Sequence, residues 1–501
     1  MSVERVRIQL EPLSVDVEMV RGGSLASALP QFGVEFPCGG TGLCGGCGVR
    51  VLAGSLPVTG PDLSFFSAEE LANGWRLACQ ARAEMPLALE CGQWHMDVLA
   101  DNSGLSSGGK SGLGIAIDLG TTTIAAQMVD MATGSVLGVE TNLNPQASFG
   151  SDVMSRIRAA LCGADLTTVV RLALRQMIAN LAGGREQEIV EVILVGNTVM
   201  HHLFAGLDVE PLSRVPFHSS HPDAQCFQPQ ELAWPLPPAC RIRFERCLGG
   251  FVGSDILAGI LAVGISRAED LLALVDLGTN GEIAIGNRRG IVCASTAAGP
   301  AFEAGSIRMG MRAATGAISH VSLDQDVMRA TVIGDVEARG ICGSGLVDAV
   351  AAGLQTGAVL PSGRIADRAK ILPVKDPVVL FQADIRELQL AKAAIASGFR
   401  LLLKRLDVSA DRLQSIYLAG AFGNYVQPES AIRIGLIEAP IERIHARGNT
   451  ALRGAKILLL SAGEPILPPI EHVSLAADPG FQDEFMNCIA FPEAAEKNIS
   501  P

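Results

Sequence analysis

Four cysteines, Cys38, Cys44, Cys47 and Cys79, follow the spacing C-x5-C-x2-C-x31-C. Thiolates in that number hold either a structural zinc ion or an iron–sulfur cluster. Structural zinc usually takes two short C-x-x-C or C-x-x-H arms. Here three thiols share one loop, Pro37 to Cys47, and the fourth comes alone, the arrangement of a 2Fe-2S cluster. Six glycines between Gly39 and Gly48 support that choice, because amides without side chains beside them can donate to cluster sulfides. Cys91 is a reserve fourth ligand, poorly placed beyond the last strand of its region.

A second constellation carries phosphate chemistry. The tetrapeptide Asp-Leu-Gly-Thr occurs at Asp118–Thr121 and again at Asp276–Thr279, 158 residues later. Each copy ends an apolar strand in an acid, turns through Gly-Thr and leaves as another strand. Such a turn offers backbone amides and hydroxyls to phosphate oxygens. The aspartate can hold Mg2+ or orient a water. One copy alone is an ordinary hairpin turn as often as a site; two copies a domain apart predict two similar lobes facing each other. A third element, Ile416 to Val426, runs a strand into Gly420-Ala421-Phe422-Gly423, where a base and ribose can approach the backbone.

The elements that position these residues follow from pattern. Val6, Ile8 and Leu10 alternate, then Val15, Val17 and Met19, which predicts a β-hairpin. Ser24–Leu29 reads as a short capped helix, Gly48–Leu52 as a strand, and Ser67 with Glu70 as a capping box opening a helix toward Leu71 and Trp75. Pro86–Glu90 is a final strand. We expect residues 1–98 to form one domain, 99–112 a Gly/Ser linker spanning about 18 to 20 Å as flexible coil, 113–492 the two lobes (about 113–270 and 271–492), and 493–501 a tail.

With 501 residues the chain needs more than one core. Its net charge of -13 argues against nucleic acid, since no basic stripe is available to displace counterions. The first seven residues carry charges where a signal peptide needs apolar residues, and the longest apolar run, Ile256 to Ile265, is too short to span a bilayer. These features predict a cytoplasmic protein without membrane partners. Of the remaining eight cysteines (Cys91, Cys162, Cys226, Cys240, Cys247, Cys293, Cys342 and Cys488), the plain expectation is buried free thiols.

The order hairpin, helix, cysteine loop, strand, helix, strand resembles the β-grasp fold of 2Fe-2S ferredoxins. The two Asp-Leu-Gly-Thr turns with Gly420–Gly423 resemble the phosphate and adenosine motifs of the ASKHA superfamily (actin, Hsp70, acetate and sugar kinases), which implies two ribonuclease-H-like lobes closing over Mg-ATP. Further stretches narrow the resemblance: Asn144-Pro145-Gln146, Phe149 to Ile157, Val195 to His202, Ala297 to Glu303, and Gly340 to Gly345. Together with the cysteine domain these are similar to the ATP-dependent reductive activators of corrinoid proteins, over nearly the whole chain. Its direct linker gives it the shorter plan of activators serving O-demethylase systems.

The resemblance implies that Asp118 and Asp276 are catalytic. Gly120, Thr121, Thr122, Thr123, Gly278, Thr279, Asn280, Gly281, Gly343 and Gly345 would contact nucleotide, with Gly420 and Gly423 at the adenosine. It implies a 2Fe-2S cluster, ATP and Mg2+ as cofactors, a corrinoid protein as electron acceptor, and an upstream reductant such as ferredoxin or flavodoxin. The expected activity is ATP-coupled transfer of one electron from the cluster to cob(II)alamin, regenerating cob(I)alamin. A plant-type cluster lies near about -400 mV; cob(I) formation is harder, and each ~59 mV of deficit costs a factor of about ten in equilibrium. The alternatives are a small-molecule kinase with a structural cluster and a nucleotide-gated module that senses redox state. Other residues have plainer readings: His201 and His202 as lobe packing, Glu303 and Arg308 as nucleotide contacts or an ion pair, Cys342 as a small residue under close packing, and the proline-rich tract Phe217–Pro238 as an insertion loop.

Overall fold

Alternation at the N-terminus builds a small sheet. In the computed structural model, which describes residues 4–11, 15–29, 34, 42, 47–91, 109–150, 152–278, 280–423 and 425–493, Val6, Ile8 and Leu10 of β1 (Arg5–Glu11) turn inward and β2 (Val15–Val20) pairs antiparallel beside it. A short pair, β3 (Gly23–Ser24) with β6 (Arg82–Ala83), flanks β4 (Gly48–Ala53), β5 (Trp75–Leu77) and β7 (Leu87–Cys91). The sheet order is β2-β1-β7-β4-β5 with β1 and β7 parallel, the β-grasp arrangement. The capping box is present: Ser67 N donates to Glu70 Oε2 at 2.7 Å and Glu70 N to Ser67 Oγ at 3.2 Å. It opens α2 (Ala68–Ala72), behind α1 (Gly60–Phe65), a helix the pattern did not announce. Two expectations are corrected. Leu25–Ser27 is a single 3-10 turn, and Trp75 lies past the helix, in β5.

Beyond residue 109 two sheets repeat one plan. The first has β8 (Leu113–Leu119), β9 (Thr123–Asp130), β10 (Ser135–Leu143), β11 (Ile189–Val195), β12 (Gln225–Phe227) and β13 (Arg241–Phe244), in the order β10-β9-β8-β11-β13-β12. It carries α3 (Val153–Leu161), α4 (Leu166–Ala182) and α5 (Thr198–Ala205). Apolar Leu166, Val170, Leu174, Met177 and Ile178 bury one face of α4, which the Asp165 carboxylate caps by accepting from Thr168 N at 2.9 Å. Next comes α6 (Ser254–Val263).

The second sheet has β14 (Leu272–Leu277), β15 (Gly281–Asn287) and β16 (Gly290–Thr296). An insertion follows: β17 (Ala317–Asp324), β18 (Val327–Val332), β19 (Gly340–Ile341), α7 (Gly343–Thr356), β20 (Ile371–Lys375) and β21 (Val378–Phe381). Then come α8 (Gln382–Arg405), β22 (Ser415–Ala419), α9 (Gly420–Gly423), α10 (Pro428–Arg433), β23 (Ile444–Ala446), α11 (Thr450–Leu460), β24 (Ile470–His472) and α12 (Phe481–Ile489). In each lobe three antiparallel strands are followed by a parallel one, β11 beside β8 and β22 beside β14.

The chain does not keep its lobes strictly in sequence order. Helix α11, late in the second half, packs Ala451, Leu452, Ala455 and Leu459 against Ala116, Ala125 and Ile193 of the first sheet. It crosses α6 closely because Gly454 lacks a side chain: a Cβ there would lie 2.0 Å from Ala258 O. The end of the Gly/Ser segment is also fixed. Lys110 Nζ donates to Glu191 Oε2 and to Leu459 O, both at 2.8 Å, and Met131 N donates to Gly112 O. Residues 99–108 of that segment lie outside the described residues. Glu90 of the β-grasp sheet pairs with Arg50 and, at 3.2 Å, with Arg339 just before β19.

The proline-rich tract is not a simple surface loop. It contains β12, and Leu232, Trp234 and Leu236 enter the first lobe's core, with Trp234 Nε1 donating to Arg171 O at 3.1 Å. Among the cysteines, Cys162 and Cys226 are exposed, against expectation, while Cys240, Cys247, Cys293, Cys342 and Cys488 are buried and free. Among the described residues no helix is long and apolar enough to cross a membrane. Because Trp234 is 4% exposed and packed on Phe204, Trp234→Ala should cost about 3–5 kcal/mol of stability, read as a lowered denaturant midpoint. A mutant of wild-type stability would show that the tract is only a surface insertion.

Candidate functional site

Register brings the two Asp-Leu-Gly-Thr turns into one cavity of about 270 Å³ between the sheets. Asp118, Gly120, Thr121, Thr122 and Thr123 line it from the first lobe; Asp276, Gly278 and Asn280 line it from the second. Gly343 at the start of α7 and Gly420 at the start of α9 complete the set drawn from sequence. Thr279 lies outside the described residues. Gly420 adopts φ +83°, and a Cβ there would stand 2.5 Å from Asp276 Oδ1, so glycine is what lets that strand end approach the acid.

Three glycines expected at the nucleotide are absent from the cavity wall. A Cβ on Gly281 would lie 2.6 Å from Ile395, one on Gly345 2.2 Å from Ile318 O, and one on Gly423 3.1 Å from the Leu418 carbonyl carbon. Their small size serves close packing behind the site. Arg308 is also elsewhere: its N–H donates to Asp384 and its guanidinium lies 4.3 Å from the Phe381 ring centroid. Glu303 does reach the cavity, and Thr122 Oγ1 donates to it across the cleft at 3.3 Å. Cys342 lines the cavity as well as being tightly buried.

Three asparagines to which the sequence assigned no individual role hold the turns. Asn144 clamps the first one, its N–H donating to Thr122 O at 2.9 Å and its Nδ2 to Gly120 O at 2.8 Å. Asn197, the N-cap of α5, donates Nδ2 to Thr121 Oγ1 at 2.7 Å. Asn449, the N-cap of α11, donates Nδ2 to Asp118 Oδ2 at 2.9 Å. One asparagine at each of two helix starts thus caps its helix and fixes a cleft residue. His201 and His202 stand behind this framework. His201 is packed edge-on to Phe244 and burial pushes its pKa down to about 3; His202 contacts Thr198 O and Ser219 Oγ. They are structural.

Acids dominate the electrostatics. Asp255 in the first turn of α6 and Glu282, the cross-strand partner of Asp276, join Asp118 and Asp276 at the cavity floor. Burial pushes Asp118 up to about 6, restrained by Asn449. Burial, then the charge of Asp118, takes Asp276 to about 7. Burial, then Asp276 and Asp118, takes Asp255 to about 8. Glu282 is raised as well, by burial first and by Asp255 and Asp276 after it. Like charges this close favour the protonated forms until a cation enters. Among the described residues no three His, Cys, Asp or Glu side chains converge as a metal cage. Acids lining a cavity beside the Gly-Thr turns are the donor type that suits Mg2+, a cation bound by few carboxylates together with phosphate oxygens.

The sulfur site is half described. Cys38 and Cys44 lie outside the described residues; Cys47 is buried and Cys79 half-buried. The two are brought together by Ala78 N donating to Cys47 O at 2.9 Å and Cys79 N to Cys47 Sγ at 3.5 Å. Gln80 Nε2 donates to Cys79 Sγ at 3.3 Å. Asp62, buried in the α1 capping box, pins the neighbouring strand by accepting from Leu77 N at 2.7 Å. Thiols already receiving N–H donors, in a β-grasp frame, fit the cluster.

Comparison with known proteins agrees with this geometry. Residues 8–84 match the model of the 2Fe-2S iron-sulfur cluster binding domain, 113–268 that of the RACo middle region, and 270–500 that of the C-terminal domain of RACo, the ASKHA domain. The corrinoid activation enzyme RamQ of Eubacterium limosum is 35% identical, over 74% of this chain and 69% of the relative. The reductase of the Co(II) methylated amine-specific corrinoid protein of Methanosarcina barkeri is 27% identical, over 69% of this chain and 70% of its own. A solved reductive activator for corrinoid, iron-sulfur protein superposes with a TM-score of 0.66 at 27% identity, covering 97% of this chain and 98% of that one. The chain belongs to the corrinoid activation enzymes, the family that joins a 2Fe-2S domain to an ASKHA domain.

Proposed function

We propose that this chain reduces the cobalt of a partner corrinoid protein from cob(II) to cob(I), one electron per event, with ATP hydrolysis driving the step. The observation that carries this reading is the union, in one chain, of a β-grasp thiol site and an acid-floored cleft between two ASKHA lobes. Relatives named for corrinoid activation and for Co(II) corrinoid protein reduction support it.

When bound at Cys38, Cys44, Cys47 and Cys79, a 2Fe-2S cluster supplies the electron. The protein holds Cys79 through Gln80, and the strand before it through Asp62. In the cleft, Asp118 and Asp276 would hold Mg2+, which would neutralise charge on the phosphates. Thr121, Thr122 and the turn amides receive phosphate oxygens, and Gly420, turning beside Asp276, lies on the adenosine side. Asp118 and Asp276 belong to different sheets, so a nucleotide and cation that bind both favour the closed arrangement of the lobes. Closure then biases the partner toward the conformation in which cobalt is easier to reduce. That coupling works only if nucleotide state and corrinoid state are read by the same movement. The upstream donor is a low-potential ferredoxin or flavodoxin, and the setting is the cytoplasm.

Mixing the reduced protein with an isolated corrinoid protein in the cob(II) state should give the cob(I) absorption with Mg-ATP and little without it. An ATP-independent signal, or none with any corrinoid partner of the same host, would refute the reading. Cys44→Ser should remove the 2Fe-2S EPR signal and electron delivery while leaving nucleotide affinity within about twofold; Asp276→Ala should do the reverse. The raised acids predict a proton balance too. Near pH 7 Asp276 and Asp255 are partly protonated, so Mg-nucleotide binding releases protons, seen by calorimetry in buffers of different ionisation enthalpy, and the release fades above about pH 9. Because their folded pKa values exceed the unfolded ones, they leave the apo protein less stable as pH rises from about 4 to 8. Asp255→Asn should therefore raise the apo melting temperature by a few degrees at pH 8 and leave it unchanged near pH 4.

A further inference from the structure

The cavity presents five acids, Asp118, Asp255, Asp276, Glu282 and Glu303, and among the described residues lining it Arg312 is the one cationic side chain. A polyphosphate entering such a wall meets repulsion that one Mg2+ at the floor does not fully cancel. Arg312 lines the same cavity, where a guanidinium can meet an anion. Its neighbour Met311 donates its N–H to Ile341 O at 2.9 Å, and Gly310 bridges Ile341, so the segment is stitched to the strand that enters α7. Helix α7 runs 14 residues from Gly343 with no side chain capping its start, and Gly343 and Ser344 line the same cavity. The positive end of a helix and a guanidinium therefore share one wall.

We propose that Arg312, with the N-terminus of α7, contacts the phosphate chain of the bound nucleotide and makes affinity rise with phosphate number. This rests on the nucleotide reading of the cavity. The guanidinium suits that role because it is half-buried and, although burial presses its pKa down to about 9, it stays cationic at neutral pH. Charge-assisted hydrogen bonds from such a group to phosphate are stronger than neutral ones, and a lysine could restore the charge but not the planar fork.

The test is calorimetric titration of the full-length, cluster-loaded chain with Mg-ATP, Mg-ADP and AMP, for wild type, Arg312→Gln and Arg312→Lys. The expected result is a loss in Arg312→Gln of at least tenfold for ATP, a smaller loss for ADP and the smallest for AMP, with Arg312→Lys recovering part of the ATP loss. Equal losses for the three nucleotides would mean that Arg312 serves the nucleoside or the fold, and would overturn the proposal. So would unchanged affinities. A wild-type chain that binds no Mg-ATP would overturn the nucleotide reading and this proposal together, whereas wild-type binding with an unaltered Arg312→Gln overturns this proposal alone.

Discussion

Carboxylic acids from two lobes are held face to face across one small cavity, and the rest of the structure accommodates that. Asp276 and Glu282 are cross-strand partners, and Asp118 and Asp255 approach them from the other side. Left alone, such a group repels itself and retains protons. A cation with a polyanion relieves it best, and only while both lobes are near. The acid floor is thus a cluster whose charge depends on what enters the cavity. The asparagine caps Asn197 and Asn449 and the close α6–α11 crossing at Gly454 keep the two sides in register without filling the space between them.

Helix α11 links this floor to the tether of the electron-carrying domain. Its first turn holds Asp118 through Asn449, and Leu459 near its end accepts from Lys110, the last anchored cation of the linker. The Glu90–Arg339 pair makes a second connection, since Arg339 stands three residues before the cavity-lining Cys342. Both contacts tie segments next to the cleft to the N-terminal part of the chain. Joining the modules in one chain brings an iron–sulfur domain and an ASKHA domain to the same partner.

Much of this was legible in the residues, and the misses have physical causes. The β-grasp order followed from period-two alternation and the cysteine spacing, and the cleft from the duplicated Asp-Leu-Gly-Thr. Glu282 was recoverable in principle, because six residues across a tight turn make it the register partner of Asp276. Asp255 was not, since it is one acid opening an apolar helix and reaches the cleft only through tertiary placement. Gly345 and Gly423 show why glycine spacing is ambiguous: it marks close backbone approach, and the approach seen here is to Ile318 and Leu418. Trp234 was hidden by prolines, which break the periodicity by which core residues are recognised. The return of α11 to the first lobe is a long-range contact with no local signature.

The central claim is that one electron leaves the cluster for cobalt only when nucleotide occupies the cleft. Freeze-quench EPR of the reduced chain mixed with a cob(II) corrinoid protein tests it directly, because the reduced 2Fe-2S signal and the cob(II) signal can be followed together. The account predicts that, after Mg-ATP is added, both signals fall at the same rate and in a ratio of about one to one. Loss of cob(II) while the cluster signal persists, or equal loss of both without nucleotide, would contradict it.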